Sequence, residues 1–180
     1  LIKDFADMDK DIATALYTGI LTDTGGFRHN STSERTHQIA GKLVSAGVDT
    51  PEIHTKFLME HSLTDVKIFV KALEKMKLED KIAYTYVTAE DMALCGASSK
   101  NLDAIVGYLL NTEGAEVSVF ASEREGGIVK LSFRSKSVNV NEIASLFGGG
   151  GHVLAAGAAA KGDVREVLHM AVNEVRKRLK

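Results

Sequence analysis

A run of four glycines that ends in a histidine is the segment of this sequence best suited to bind a ligand. Residues 148–151 are glycines, His152 follows directly, and the small residues Ala155, Ala156 and Gly157 come soon after. Such a run loses much backbone entropy on folding, so it is typical of places where unusual torsions or a close ligand demand glycine. Its amides can surround an anion, and His152 can donate a further hydrogen bond. The pattern predicts a phosphate site, with a flexible surface loop as the alternative.

A second candidate is the polar turn at residues 22–28, which contains Asp23, Gly25 and Gly26. A carboxylate held among small residues at a turn is well placed to bind a hard divalent cation. A single aspartate in a turn more often caps a helix or forms the turn itself. The residues alone leave both interpretations open, and His29, which follows closely, receives no role.

The regular elements that must position these residues can be predicted from apolar spacing and turn residues. The segment 9–22 is predicted as a helix, either alone or leading into a strand, and Thr50 is predicted to cap the helix that Pro51 begins. Further helices are predicted at 33–46, 51–60, 63–77, 89–94, 101–110, 140–146 and 163–179. Strands are predicted at 82–87, 115–122, 128–134 and 155–161, with a hairpin turn at 125–127.

The strand predicted at 128–134 alternates between apolar and polar residues. Val129, Leu131 and Phe133 point to one face, whereas Lys130 and Arg134 point to the other. Arg134 is therefore predicted on a polar face of the sheet that precedes the glycine run. Without that run, a solvated charge at the end of a strand would be the default interpretation.

The sequence predicts an α/β protein whose two parts are joined by a helix. Residues 1–60 form a helical part, 61–79 a connector helix, and 80–180 a mixed β-sheet domain with flanking helices. The predicted apolar stripe of the connector helix consists of Val66, Phe69, Val70, Leu73 and Met76.

Three segments, in this order, resemble the DHH family of phosphoesterases. Residues 19–28 resemble the last motif of the catalytic domain in the branch of NrnA-like oligoribonucleases and pAp phosphatases. Residues 132–135, with Arg134 and Ser135, resemble a strand end that contacts substrate in the family. Residues 147–157 resemble the glycine signature of the DHH-associated C-terminal domain.

The resemblance implies a fold and a set of roles. Residues 1–60 would be the end of the catalytic DHH domain, and residues 80–180 would be the substrate-binding domain. Asp23 would be catalytic as a ligand of one of two divalent metal ions, usually manganese. The residues implied to contact substrate are Arg28, Arg134, Ser135, Gly149, Gly150, Gly151 and His152.

The Asp-His-His motif that names the family does not occur in this sequence, and Asp23 alone cannot hold two metal ions. The resemblance therefore implies that the chain is part of a longer metal-dependent phosphoesterase, and that this part alone is inactive. The implied substrates are short RNA or DNA oligonucleotides (nanoRNA) and 3'-phosphoadenosine 5'-phosphate (pAp). Three alternatives stay open: a non-catalytic nucleic-acid-binding module, part of a RecJ-type exonuclease, and an exopolyphosphatase-like enzyme.

Composition limits the classes of partner. The formal net charge of -2 provides no global basic field for a long duplex, so a local pocket for short substrates is favoured. No apolar run approaches the ~20 residues that a membrane span needs. The single cysteine, Cys95, is compatible with a cytoplasmic location, and a homodimer is compatible with the sequence.

Overall fold

The computed structural model describes residues 8–179, and the chain divides into two compact units, Leu1–His61 and Ser62–Lys180. The first seven residues of the predicted 1–60 part lie outside the described residues. Within residues 8–179, none of the helices has the length and apolar character needed to cross a membrane.

The described part of the first unit is helical. Helix α1 (Lys10–Asp23) begins at Asp9, whose carboxylate accepts a hydrogen bond from the Ile12 amide, and it ends in a turn rather than leading into a strand. Helix α2 spans Glu34–Ser45, and helix α3 spans Thr50–His54 and continues into a single π-helical turn, Thr55–Met59. The core shared by these helices consists of Ala13, Tyr17, Leu21, Ala40, Leu43, Val48 and Ile53.

The predicted cap of α3 is wrong by one residue. Asp49, not Thr50, accepts the hydrogen bond from the Glu52 amide, at 3.1 Å, and Thr50 is already helical. Both residue types cap helices well, so the sequence pattern does not distinguish them.

The second unit contains a six-stranded mixed sheet, which confirms the predicted α/β class. Its strands are β1 (Lys77–Glu79), β2 (Ile82–Val87), β3 (Val117–Arg124), β4 (Ile128–Ser135), β5 (Gly150–His152) and β6 (Ala155–Lys161). They lie in the order β1-β2-β3-β4-β6-β5, where only the β2–β3 pair is parallel. The sequence did not predict β1 or β5, because each has three exposed residues and no alternation.

Helices cover the two faces of this sheet unequally. Helices α7 (Val140–Ser145) and α8 (Val164–Arg176) pack on the apolar face, whose core includes the predicted Val129, Leu131 and Phe133. The helices of the second core are α4 (Leu63–Leu73), α5 (Ala89–Cys95) and α6 (Asp103–Leu110), the last of which follows a 3-10 turn at Ser99–Leu102. Helices α4 and α6 contact β2 and β3 on the other face, so β5 and β6 keep exposed or half-buried residues there.

The buried face of α4 differs from the predicted stripe. Ile68 and Ala72 are fully buried, whereas Val66 and Val70 are about half exposed, at 48% and 49%. The cause is the position of the helix on the sheet, where the Thr85 hydroxyl on β2 donates a hydrogen bond to the Ala72 carbonyl. The helix that the sequence predicted as a connector thus packs within the second unit.

Candidate functional site

Two of the predicted ligand-binding side chains lie in one row across the sheet. Arg134 on β4 is directly opposite Ala155 on β6, and Ala155 is directly opposite His152 on β5. Opposite residues of antiparallel strands share a face, so Arg134 and His152 point to the same side, with only a methyl group between them. Two strand spacings separate their Cα atoms by about 10 Å.

The neighbouring row leaves a flat floor beside this pair. Ser132 on β4 is opposite Gly157 on β6, which is opposite Gly150 on β5. Gly150 is exposed, and Ser132 and Gly157 are half-buried, so this floor is reachable from solvent. We call this side of β4, β6 and β5 the open face.

The glycine run first ends a helix. The Gly148 amide donates to the Ser145 carbonyl, and the Gly149 amide donates to the Ala144 carbonyl at 3.0 Å. Gly148 has a φ of 71°, a left-handed conformation that favours glycine. The Gly149 amide, which was predicted to contact substrate, is thus engaged by α7, and Gly150, Gly151 and His152 form β5, which pairs with β6.

Glycine is required at positions 149 and 151 because strand β6 approaches them closely. A Cβ atom on Gly149 would lie 2.2 Å from the Gly157 carbonyl oxygen. A Cβ atom on Gly151 would lie 2.6 Å from the Ala155 carbonyl oxygen. The run therefore closes an edge hairpin against β6.

The structure does not bring Ser135 to the open face. Its side chain is buried, and its hydroxyl accepts hydrogen bonds from the Ser137 and Val138 amides at 3.1 and 2.7 Å. Its position on β4 places it on the same face as Phe133, opposite to Arg134. Its contacts therefore stabilise the turn that follows β4.

Cations cluster on the polar side of β3 and β4, next to the open face. Arg124, Lys130 and Arg134 line one pocket, and none of the three forms an ion pair within residues 8–179. Arg134 Nη1 donates only to the carbonyl of the preceding residue, Phe133, at 2.9 Å. Lys130 was predicted on this polar face, whereas Arg124, at the end of β3, was not.

The pocket itself was not predicted. It has a volume of about 160 Å³ and lies between the start of α6 and the polar side of β3 and β4, and we call it the α6–β4 groove. The residues that line it are Leu102, Asp103, Val106, Phe120, Ser122, Arg124, Lys130, Ser132 and Arg134.

The Asp23 turn lies at the C-terminal end of α1, in the first unit. The Asp23 side chain is exposed, and its backbone carbonyl lies 3.2 Å from Nδ1 of His29. The His29 ring covers the turn so closely that a Cβ atom on Gly25 would lie 2.5 Å from its Nε2 atom. Arg28, predicted to contact substrate, donates from Nε to the Gly25 carbonyl at 2.9 Å, so the turn is held by its own residues.

The described residues do not by themselves fit a metal centre. Within residues 8–179, no group of three or more His, Cys, Asp or Glu side chains is arranged to hold a metal ion. A two-metal phosphoesterase site needs several such ligands. Asp23 can supply one carboxylate ligand at most, so no catalytic step can be derived from these residues through a metal.

Known proteins are similar to this chain in sequence and in fold. Residues 79–180 match the family described as the DHHA1 domain. The chain is 36% identical to the bifunctional oligoribonuclease and PAP phosphatase NrnA of Thermus thermophilus, over 99% of this chain and 56% of that relative. It is 32% identical to the protein of the same name in Bacillus subtilis, over 82% of this chain and 47% of that relative. The chain thus spans about half the length of these curated relatives.

Among solved structures, the chain is similar to an exopolyphosphatase-related protein from Bacteroides fragilis. The TM-score is 0.84 at 28% sequence identity, over 95% of this chain and 52% of that one. A pGpG-specific phosphodiesterase from Vibrio, PggH, has a TM-score of 0.56 at 14% identity, over 96% of this chain and 62% of that one, which shows a shared fold only.

Proposed function

This chain belongs to the DHHA1 domain family, and from that membership we propose that its second unit binds the phosphate of a short nucleotide substrate. The substrate is a short RNA or DNA oligonucleotide or pAp. The reaction is hydrolysis of a phosphoester by a longer protein of which this chain forms part. The names of the Thermus thermophilus and Bacillus subtilis relatives, which combine oligoribonuclease and PAP phosphatase, support this choice.

The row formed by Arg134, Ala155 and His152 carries the proposal. A guanidinium offers paired N–H donors that match phosphate oxygens, and an imidazole offers one more. Ala155 between them keeps the surface low enough for an anion to reach both donors. Since Arg134 has no carboxylate partner within residues 8–179, its charge is available to the phosphate.

The dimensions of the open face favour short substrates. Its three strands, β4, β6 and β5, are together about 10 Å wide at the row of Arg134 and His152. A protein that holds one end of a short substrate fixes the distance to the scissile phosphate, which lowers the entropic cost of reaction. The net charge of -2 agrees with binding at one local site rather than along a long strand.

The proposal assigns to Asp23 the role of one ligand of a divalent metal, manganese by preference. Its exposed carboxylate at the end of α1 is accessible to a cation. When bound, the metal would supply an activated water for attack on phosphorus. The remaining ligands would belong to other parts of the longer protein, so this chain would hold substrate and supply one metal ligand.

The proposal is tested by measuring binding and turnover in the same samples. We expect the purified chain to bind pAp and a dinucleotide with measurable affinity in isothermal titration calorimetry, and to bind inorganic polyphosphate more weakly. With manganese added, chromatography of the same mixtures should show intact substrates after prolonged incubation. Clear turnover would contradict the assigned division of roles, and the absence of any pAp or dinucleotide binding would contradict the function itself.

A further inference from the structure

The α6–β4 groove is positively charged, although the chain as a whole has a formal net charge of -2. Three cations, Arg124, Lys130 and Arg134, line the groove, whereas Asp103 is its only carboxylate. None of the three cations forms an ion pair within residues 8–179. Like charges that share one small pocket repel one another, and an anion that enters the pocket relieves this repulsion. The groove therefore suits an anionic group.

The cations of the groove lie at two separate places along the strands. Lys130 on β4 is opposite Ser122 on β3, so Arg124 is the diagonal neighbour of Lys130 on the same face, about 7–8 Å away. Arg134 lies further along β4, with its Cα atom about 13 Å from that of Lys130. Arg134 also belongs to the row that contains His152, so the groove and that row are continuous. Arg124 and Lys130 thus form a second pair of cations beside the first phosphate site.

The size of the groove and its accessible groups agree with a small anion. A volume of about 160 Å³ lies below the ~300–1,000 Å³ of pockets for drug-sized ligands, so it suits one small group rather than a whole nucleotide. Lys130 is exposed, and Arg124 and Ser132 are half-buried, whereas the apolar lining residues are buried. Ammonium, guanidinium and hydroxyl groups all donate hydrogen bonds to phosphate oxygens.

We propose that Arg124 and Lys130 form a second phosphate subsite in the α6–β4 groove, for a phosphate joined through one sugar to the phosphate on Arg134 and His152. This inference rests on the proposed function, because that function places the first phosphate. It assigns two specificity-determining residues, and it makes the number of phosphate groups the property that the groove selects. A ligand with two phosphates is held at both sites, whereas a monophosphate is held at one.

The test compares two ligands that differ only in one phosphate. Isothermal titration calorimetry of the full chain is performed with pAp and with AMP. We expect pAp to bind about tenfold tighter or more, since its additional phosphate accepts charge-assisted hydrogen bonds from Arg124 and Lys130. Equal affinities would overturn the second subsite while leaving the first phosphate site intact. Failure of both compounds to bind would overturn the proposed function as well.

Variants that remove one positive charge distinguish the subsite from a general attraction between anions and cations. Lys130→Gln and Arg124→Gln should each reduce the preference for pAp over AMP severalfold. Lys161→Gln is the matched control, because Lys161 is exposed on the same face, opposite Ile128, and does not line the groove. It should retain the preference. If Lys130→Gln and Lys161→Gln reduce the preference equally, or Lys130→Gln weakens AMP and pAp binding equally, the proposal is wrong.

A further variant should strengthen binding, which a loss of structure would not do. Asp103 is exposed and is the only carboxylate that lines the groove. Its charge repels the second phosphate, so Asp103→Asn should raise the affinity for pAp about threefold and the affinity for AMP less. Melting curves establish that each variant is folded. An unchanged or lower pAp affinity in folded Asp103→Asn would place the second phosphate outside the groove and overturn the proposal.

Discussion

Replacing Gly149 with alanine is expected to destabilise the second unit by at least about 3 kcal/mol. The new Cβ atom would lie 2.2 Å from the Gly157 carbonyl oxygen and 2.5 Å from the Ala158 Cα atom, which are both backbone atoms of β6. A flexible side chain could move away from such a clash, but these backbone atoms of β6 are held in the sheet by pairing with β4. The variant must therefore separate β5 from β6 or shift α7, whose end the Gly149 amide closes.

Gly150 provides a matched control one residue away. A Cβ atom there would have Asn141 Oδ1, at 3.5 Å, as its nearest neighbour, which is an ordinary contact. Gly150→Ala should therefore change the free energy of unfolding by less than about 1 kcal/mol. Urea denaturation followed by circular dichroism measures both values. Equal losses for the two variants would show that the glycines matter for a reason other than the packing of this hairpin.

Replacing Arg134 with alanine is expected to weaken pAp binding by about 10- to 100-fold, which corresponds to roughly 1.4–2.8 kcal/mol. The guanidinium is half-buried on the open face and lacks an ion pair within residues 8–179, so its loss removes a donor that no neighbouring cation replaces at the same place. Arg134→Lys should retain part of the affinity, because it keeps the charge but loses the paired donors. Isothermal titration calorimetry with pAp measures the change.

Two further variants provide a comparison and a control for the affinity of Arg134→Ala. His152→Ala should weaken pAp binding by about tenfold, since one donor is lost rather than two. Arg165→Ala serves as the control, because Arg165 is exposed on α8 and donates to the Tyr86 hydroxyl instead of lining the groove. If pAp affinity is unchanged in Arg134→Ala, or falls as much in Arg165→Ala, the row of Arg134 and His152 is not the phosphate site.

The long strands of the sheet could be predicted because their side chains alternate. In β4, Val129, Leu131 and Phe133 are fully buried, as their spacing of two residues predicted. The same alternation placed Arg134 and Lys130 on the opposite face. Alternation with a period of two is a local property of the chain, so it can be read from the sequence without knowledge of the tertiary contacts.

Other features depend on contacts between distant segments and left no local pattern. The strand β5 consists of two glycines and His152, and it is a strand only because β6 pairs with it. The groove forms because α6 packs beside β3 and β4, which brings Asp103 and Lys130 to the same pocket. Ser135, by contrast, lies on the face of Phe133 because of the alternation of β4, so its absence from the open face was visible in the sequence.

The most direct test of the central claim, that the open face binds nucleotide phosphate, is a map of where pAp binds. The isotope-labelled chain is titrated with pAp, and the backbone amide shifts are followed by nuclear magnetic resonance. The account predicts that the largest changes fall on residues 130–134, 150–152 and 155–157, with smaller changes on α8, which packs on the opposite face. Changes concentrated on α8 or in the first unit, with the open face unaffected, would contradict it.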